Sequence, residues 1–343
     1  MNINETQLKD YITKIFSIDS PTGFTHNVIS YLQEEAKSMG YETTLTAKGN
    51  LLIKVEGQNH ELKRAISAHA DTLGLMVRSI KGNGALSFTR IGGPILPTLD
   101  GEYCRIYTRD NKIYTGTIIS TSPAAHVHKD ASTAPRNEET MEVRIDEVVK
   151  NKEDVEKLGI SAGDFICIDP KTTICESGYI KTRFIDDKMS VAMLFSLLRH
   201  YYETKDKPLN DTLFMITVYE EVGHGLAYIP QNIEEVIAVD MGCIGTDLNC
   251  TEHDVSICAK DSSGPYDYQI VSKMIELAKE HKLPYAVDIY PMYGSDVSAA
   301  LSGGNNIRGG LIGTGVFASH GMERTHMDGV KATIQLLHAY LAQ

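Results

Sequence analysis

Leu8, Tyr11, Ile12, Ile15 and Phe16 recur at intervals of three and four residues, which places them on one face of an amphipathic helix. Ser20-Pro21-Thr22-Gly23 breaks that pattern. A second helix is predicted from about Asn27 to Met39, with Gly40 as its C-terminal stop. Leu51–Val55 and Ala65–Ala68 are short apolar runs that read as strands, and the second leads straight into His69.

The texture changes after Asp71. From about Thr72 to Ile168, short strand-like runs are separated by Gly, Pro, Asn and Asp; Tyr103–Tyr107, Ile113–Ile119, Met141–Ile145 and Phe165–Ile168 are examples. Helical spacing is nearly absent there, apart from a short candidate at Asn151–Leu158, so this stretch predicts a small β-barrel or sandwich. Alternation resumes near Ile180. Helices are predicted at Met189–Tyr201, Tyr266–His281 and Val330–Leu341, and strands at Leu213–Val218, Val236–Val239, Tyr285–Tyr290 and Arg308–Ile312. The layout is α/β, with helices covering a sheet. It predicts one domain from residues 1–71 and 169–343, interrupted by a β-rich insertion at 72–168.

Composition narrows the class. The chain has 343 residues, 42% of them apolar and 23% charged, which is enough for a sizeable globular core. Its net charge is −12 and no Lys/Arg stripe occurs, which argues against nucleic-acid binding. No apolar run is long enough to span a membrane. The six cysteines form no CxxC pair and have no zinc-finger spacing, so buried thiols are the default. The start, MNINETQLKDYITKIF, lacks the basic and then apolar pattern of a signal peptide. The cytoplasm, where thiols stay reduced, is the expected location.

The chemistry lies where strands end. His69-Ala-Asp71, Glu220-Glu221 and Asp240 each follow an apolar β-rich run. Open α/β sheets build their sites beyond the carboxyl ends of strands, so three runs converge on one edge. Were the strand to continue, Asp71 would accept a hydrogen bond from the far nitrogen of His69 and leave the other for a metal. Taken alone, that pattern fits a metal-free His–Asp pair better. In Arg183-Phe-Ile-Asp186-Asp187-Lys188, Asp187 is expected to cap the following helix, while Asp186 could bridge two metals. Glu220 and Glu221 would point in different directions on an extended segment, one as ligand and one as base; the bland reading is a solvated acidic pair. His320 and His326 lie six residues apart near the end; one is expected as a ligand, the other as a substrate-binding or structural residue. Nitrogen and carboxylate oxygen donors suit zinc, cobalt or manganese better than calcium, with zinc the default.

The chain resembles, over nearly its whole length, the glutamyl-aminopeptidase/endoglucanase-like family of dinuclear metallo-aminopeptidases, the group of the tetrahedral aminopeptidases. The markers are Ser20-Pro-Thr-Gly23, Ala68-His-Ala-Asp71, Phe184-Ile-Asp-Asp-Lys188, Val218-Tyr-Glu-Glu-Val-Gly223, Ala238-Val-Asp-Met-Gly242 and Gly294-Ser-Asp296. The resemblance implies a mixed-sheet α/β metallopeptidase domain with helices on both faces and an inserted dimerisation domain. It also implies two divalent metal ions per subunit, on His69, Asp186, Glu221, Asp240 and a late histidine. Asp186 would bridge the ions, Asp240 would hold one of them alone or together with His69, Glu220 would be the general base, and Asp71 would orient His69. Peptide substrates and a homo-oligomer built from dimers, up to a tetrahedral dodecamer, follow from the same resemblance.

Two departures stand out. The family's usual Arg-Tyr-x-His-Ser-Pro ending is replaced here by Val316-Phe-Ala-Ser-His320-Gly-Met-Glu-Arg-Thr-His326, and Lys188 stands where an Arg is usual. Counting from the neighbouring elements favours His320 as the last ligand, with His326 the alternative. His126 and His128 either reach a neighbouring active site or are ordinary loop histidines. Two rival functions remain on the sequence: a glycan hydrolase using paired carboxylates without metal, and a non-catalytic metal-stabilised assembly. The absence of Trp weighs against the first, and the Glu220-Glu221 pair against the second.

Overall fold

The computed structural model describes Met1 and residues 3–343. The described chain divides into two compact units, Met1–Thr72 with Lys171–Gln343, and Leu73–Pro170. The first unit opens with helices α1 (Glu5–Phe16) and α2 (His26–Ser38) and strands β1 (Glu42–Leu45), β2 (Leu51–Val55) and β3 (Asn59–His69). The second holds β4 (Gly74–Ile80), β5 (Leu86–Ile91), β6 (Glu102–Tyr107), β7 (Ile113–Ser120), β8 (Met141–Ile145), α3 (Lys152–Leu158) and β9 (Phe165–Ile168). The chain then returns to the first unit with β10 (Thr173–Ile174), β11 (Tyr179–Thr182), α4 (Ile185–Thr204), β12 (Asn210–Thr217), β13 (Glu235–Val239) and β14 (Gly242–Cys243). It closes with β15 (Val255–Lys260), α5 (Tyr268–Glu280), β16 (Tyr285–Ile289), α6 (Asp296–Ser302), β17 (Arg308–Val316), β18 (Glu323–His326) and α7 (Met327–Leu341).

The main sheet runs in the order β1-β2-β12-β3-β13-β17-β15-β16. Its centre, β12-β3-β13-β17, is parallel, and antiparallel pairs flank it, so the sheet is mixed. Buried on both faces, the central strands read as unbroken apolar runs rather than alternating ones. Their side chains still alternate. Ile66, Phe214, Ile216, Ile237 and Val239 join the core beneath α1, α2, α4, α5 and α7. Ala65, Leu213, Met215, Val236 and Ala238 join the opposite core with Val297 and Ala300 of α6. This is the expected α/β class with helices on both faces.

Helix ends follow local chemistry. The Asn4 side chain accepts the Gln7 N–H at the start of α1, and that of Asp267 accepts two N–H groups at the start of α5. Past the end of α2, Gly40 takes φ +82°, which a side chain disfavours.

In the second unit, β4-β5-β8-β7-β6-β9 close into a barrel, the β-rich insertion that the strand spacing predicts. His126 and His128 belong to its β7–β8 loop, and His126 is exposed. No helix among the described residues is long and apolar enough to cross a membrane.

Candidate metal centre

Three neighbouring parallel strands end at one edge of the main sheet: β3 at His69, β12 at Thr217 and β13 at Val239. Beyond those ends lie His69 itself, the Glu220-Glu221 turn and Asp240, all within the first unit. Gly313 on β17 lets that strand pass close to Asp240; a Cβ there would stand 1.5 Å from the Asp240 carbonyl oxygen.

His69 is fully enclosed. Its Nδ1 stands 2.9 Å from the Asp71 carbonyl, which can only accept, so the proton belongs on Nδ1. In the neutral ring Nε2 would then turn its lone pair toward Asp186 Oδ1 at 3.0 Å and Glu220 Oε2 at 3.6 Å, and in the charged ring Nε2–H donates to Asp186. The second-nitrogen bond expected from His69 exists, but it reaches the backbone of Asp71 and not its carboxylate, whose Oδ1 lies 3.6 Å away. The reason is that β3 stops at His69, so two-residue alternation does not carry through to Asp71.

The Asp71 carboxylate instead holds the glutamate turn. Its Oδ1 accepts from the Glu220 N–H at 3.1 Å, and Oδ2 from the Glu221 N–H at 3.3 Å and from Thr22 Oγ1 at 2.6 Å. Thr22, in the Ser20-Pro-Thr-Gly segment, thus reaches the site from the loop after α1. Glu220 and Glu221 do not lie on an extended segment. They form a 3-10 turn with Val222, entered through Tyr219 at φ +79°. The turn divides them. The Glu220 side chain keeps 15% exposure beside His69, whereas that of Glu221 is 4% exposed with Oε2 3.9 Å from His320 Nε2.

Asp186 stands between the two histidines. Its Oδ1 faces His69 Nε2 at 3.0 Å, and its Oδ2 faces His320 Nε2 at 3.5 Å. Asp187, expected only to cap α4, turns into the cluster as well. Its Oδ2 accepts from the His69 N–H at 3.0 Å, and the residue keeps non-helical φ/ψ. Ligand atoms of His69, Asp187 and Asp240 lie within 4.8 Å of one another, as do those of His69, Asp186 and Glu221. His326 is elsewhere: it caps α7 by accepting the Asp328 N–H, and its Nε2 donates to the Ser177 carbonyl at 2.8 Å.

Two further carboxylates border the cluster. Glu323 is buried, and its oxygens accept the backbone N–H groups of His320 (3.0 Å) and Asp186 (3.1 Å). Asp296 accepts from Thr217 Oγ1 at 2.6 Å. Asp296 lies in a segment already singled out in the sequence. Glu323 has no sequence signal beyond standing three residues after His320.

So much buried negative charge resists ionisation. Burial, then neighbouring carboxylates, push Asp187, Glu220 and Glu221 well above the usual carboxylate range. Burial raises Asp240 to about 7, Asp296 to about 6 and Glu323 to about 8. For Asp186 burial is outweighed by its bonds to His320 and His69, which hold it below the usual range. Burial opposes charge on His69, yet Glu220, Asp186, Asp187 and Asp240 together raise its pKa well above the ordinary value.

This donor set fits divalent metal ions. Imidazole nitrogen and carboxylate oxygens converge with too few protons to share, and Asp187 Oδ1 and Glu221 Oε1 have no hydrogen-bond partner among the described residues. We expect Glu323 to act as a positioning residue, because its carboxylate accepts the backbone N–H groups of Asp186 and His320. Glu323→Gln puts an NH₂ group against one of those N–H donors. We predict a metal affinity weakened roughly 10–100-fold with the circular dichroism spectrum unchanged. Competition against a chromophoric chelator measures it, and an unaltered affinity would remove Glu323 from this role.

Comparisons with known proteins bear on the family and the fold. Residues 49–336 match the family described as M42 glutamyl aminopeptidase. The chain is 46% identical over 334 residues to YhfE of Bacillus subtilis (strain 168), provisionally named an aminopeptidase; the match covers 97% of this chain and 96% of that one. Among solved structures, it is similar to an aminopeptidase from the archaeon Desulfurococcus kamchatkensis, with TM-score 0.89, 22% identity, and 98% and 95% of the two chains covered. It is also similar to the Pyrococcus horikoshii TET1 peptidase, described as assembling into a tetrahedron or a large octahedral shell; the TM-score is 0.85 at 21% identity, covering 97% and 99%.

Proposed function

The chain belongs to the M42 glutamyl aminopeptidase family and is a peptide hydrolase, and from that premise we propose a two-metal aminopeptidase that removes N-terminal residues from peptides. The observation that carries the proposal is the placing of Asp186, one oxygen toward each histidine, as a carboxylate shared by two ions requires. His69 and Asp240 would hold one ion, Glu221 and His320 the other, and Asp186 both. Asp187, beside Asp240, would add negative charge to the first position once a bound cation offsets the burial that holds its proton. Zinc is the default occupant, with cobalt or manganese the alternatives. Bound there, such ions would supply Lewis acidity that acidifies water and polarises the scissile carbonyl.

The protein's own groups do the rest. Glu220, the more exposed of the pair, takes a proton from the attacking water at Oε2 and returns it to the leaving amine. Asp71 and Thr22 hold the backbone of that turn, so the carboxylate is aimed before substrate arrives. His320, with 35% of its side chain exposed, marks the open side from which a peptide enters.

A panel of aminoacyl-nitroanilides tests the function. We expect hydrolysis of substrates with a free α-amine and none of their N-acetylated forms. Equal turnover of both would contradict exopeptidase action.

We also propose that the Leu73–Pro170 barrel is a dimerisation unit within a homo-oligomer. It leaves Tyr103, Ile113, Val127 and Val148 exposed, up to 94% for Val148. Light scattering after size exclusion should give a mass well above the 37.8 kDa chain, and a monomer would refute the assignment. The six cysteines form no disulfide with one another.

A further inference from the structure

His326, left without a catalytic role, sits in a second convergence of donor atoms. Asp328 Oδ2 on the first turn of α7 faces two imidazoles: Nδ1 of His253 at 3.1 Å and Nδ1 of His326 at 3.2 Å. The two rings lie 4.1 Å apart between centroids.

The far nitrogen of His326 fixes where that ring carries its proton. His326 Nε2 stands 2.8 Å from the Ser177 carbonyl, which can only accept, so the neutral ring carries its proton there. Its Nδ1 therefore offers a lone pair, which the Asp328 N–H meets at 3.1 Å. The same lone pair faces a carboxylate oxygen, a contact between two acceptors. His253 Nε2 has the Tyr179 hydroxyl at 3.4 Å, so its Nδ1 is also available to face Asp328. A proton on His253 Nδ1 would satisfy one of the two contacts and leave the other.

We propose that His253, His326 and Asp328 form a separate site for a zinc-class divalent cation. Around a tetrahedral zinc with bonds of about 2.0–2.1 Å, neighbouring donor atoms stand about 3.3 Å apart. The two nitrogen–oxygen spacings here match that, and all three donor atoms lie within 4.8 Å of one another. The hydrogen bonds on the far nitrogens are the outer contacts that aim a histidine at a metal. An ion there would take the His326 Nδ1 lone pair that now accepts the Asp328 N–H at the start of α7, and would meet the positive helix end; the Asp328 carboxylate charge works against both costs. Nearby Arg324 is paired with Glu252 at 3.5 Å. The His253 and Asp328 side chains are 44% and 56% exposed, so water can complete the coordination and the ion exchanges readily. Its bond would tie the loop before β15 to the β18–α7 junction.

The test is zinc content. The full chain is stripped, dialysed against buffered free Zn²⁺, and compared with His253→Ala and Asp328→Asn, both changed at exposed side chains. Each variant should bind one equivalent less zinc than the wild type, with peptide turnover unchanged. His281→Ala, an exposed histidine elsewhere, should lose none. Equal zinc in wild type and His253→Ala overturns the proposal, and so does an equal loss in His281→Ala, which would mark adventitious surface binding. A wild type that holds a single zinc, lost in His253→Ala, would keep this site and contradict the two-metal centre instead.

Discussion

Glu220→Gln is expected to lower kcat by roughly 10²–10⁴-fold while metal content stays at the wild-type level. The amide is isosteric, and the backbone N–H of residue 220 keeps its bond to Asp71, so the turn stays in place. What is lost is a group that can accept and return a proton. Glu221 does not replace it, because its side chain is 4% exposed and directed at His320. Steady-state kinetics beside metal analysis separates the two effects. A kcat within a few-fold of wild type would remove Glu220 from the base role. Loss of metal along with turnover would make it a ligand.

Stripping the metals is expected to abolish hydrolysis and to change how stability depends on pH. In the metal-free chain Asp240, Asp296 and Glu323 hold their protons to about 7, 6 and 8, chiefly because of burial. Unfolded, the same groups release protons near pH 4. The folded state thus binds more protons in between. The stability these groups contribute is present below about pH 4 and is lost as pH rises through about 6–8. His69, also raised, acts in the same direction. Asp186, lowered, acts oppositely, but only as pH falls below the ordinary carboxylate range. The stripped protein should therefore unfold at progressively lower temperature from about pH 5 to about pH 8, and the metal-loaded protein should not. Parallel flat profiles for both forms would show that metal ions do not relieve this charge.

Periodicity made the helices and the central strands legible because burial imposes it. Leu8, Tyr11, Ile12, Ile15 and Phe16 are all buried in α1, and the apolar runs before His69, Glu220 and Asp240 are the parallel strands β3, β12 and β13. The edge strand β1, Glu42–Leu45, escaped notice because it has no fully buried residue. The seven-residue α6 is too short for its spacing to stand out. At the site, a position just beyond a strand end was enough to nominate His69, Glu220, Glu221 and Asp240. Finer geometry was not readable. Asp71 bonds through its carbonyl because β3 ends two residues earlier, and Glu220-Glu221 turn because Tyr219 takes a left-handed conformation. The place of Asp187 in the cluster and the bond from Asp186 to Glu323 depend on contacts across more than a hundred residues, to which local pattern is blind.

Two ions are proposed to share Asp186. An anomalous-difference map from crystals of the zinc-loaded protein tests it most directly. The account predicts two peaks in this cluster, roughly 3.5–4 Å apart, one beside His69 and Asp240 and one beside Glu221 and His320, with Asp186 reaching both. A single peak, or a pair that leaves Asp186 or His320 uncoordinated, would contradict it.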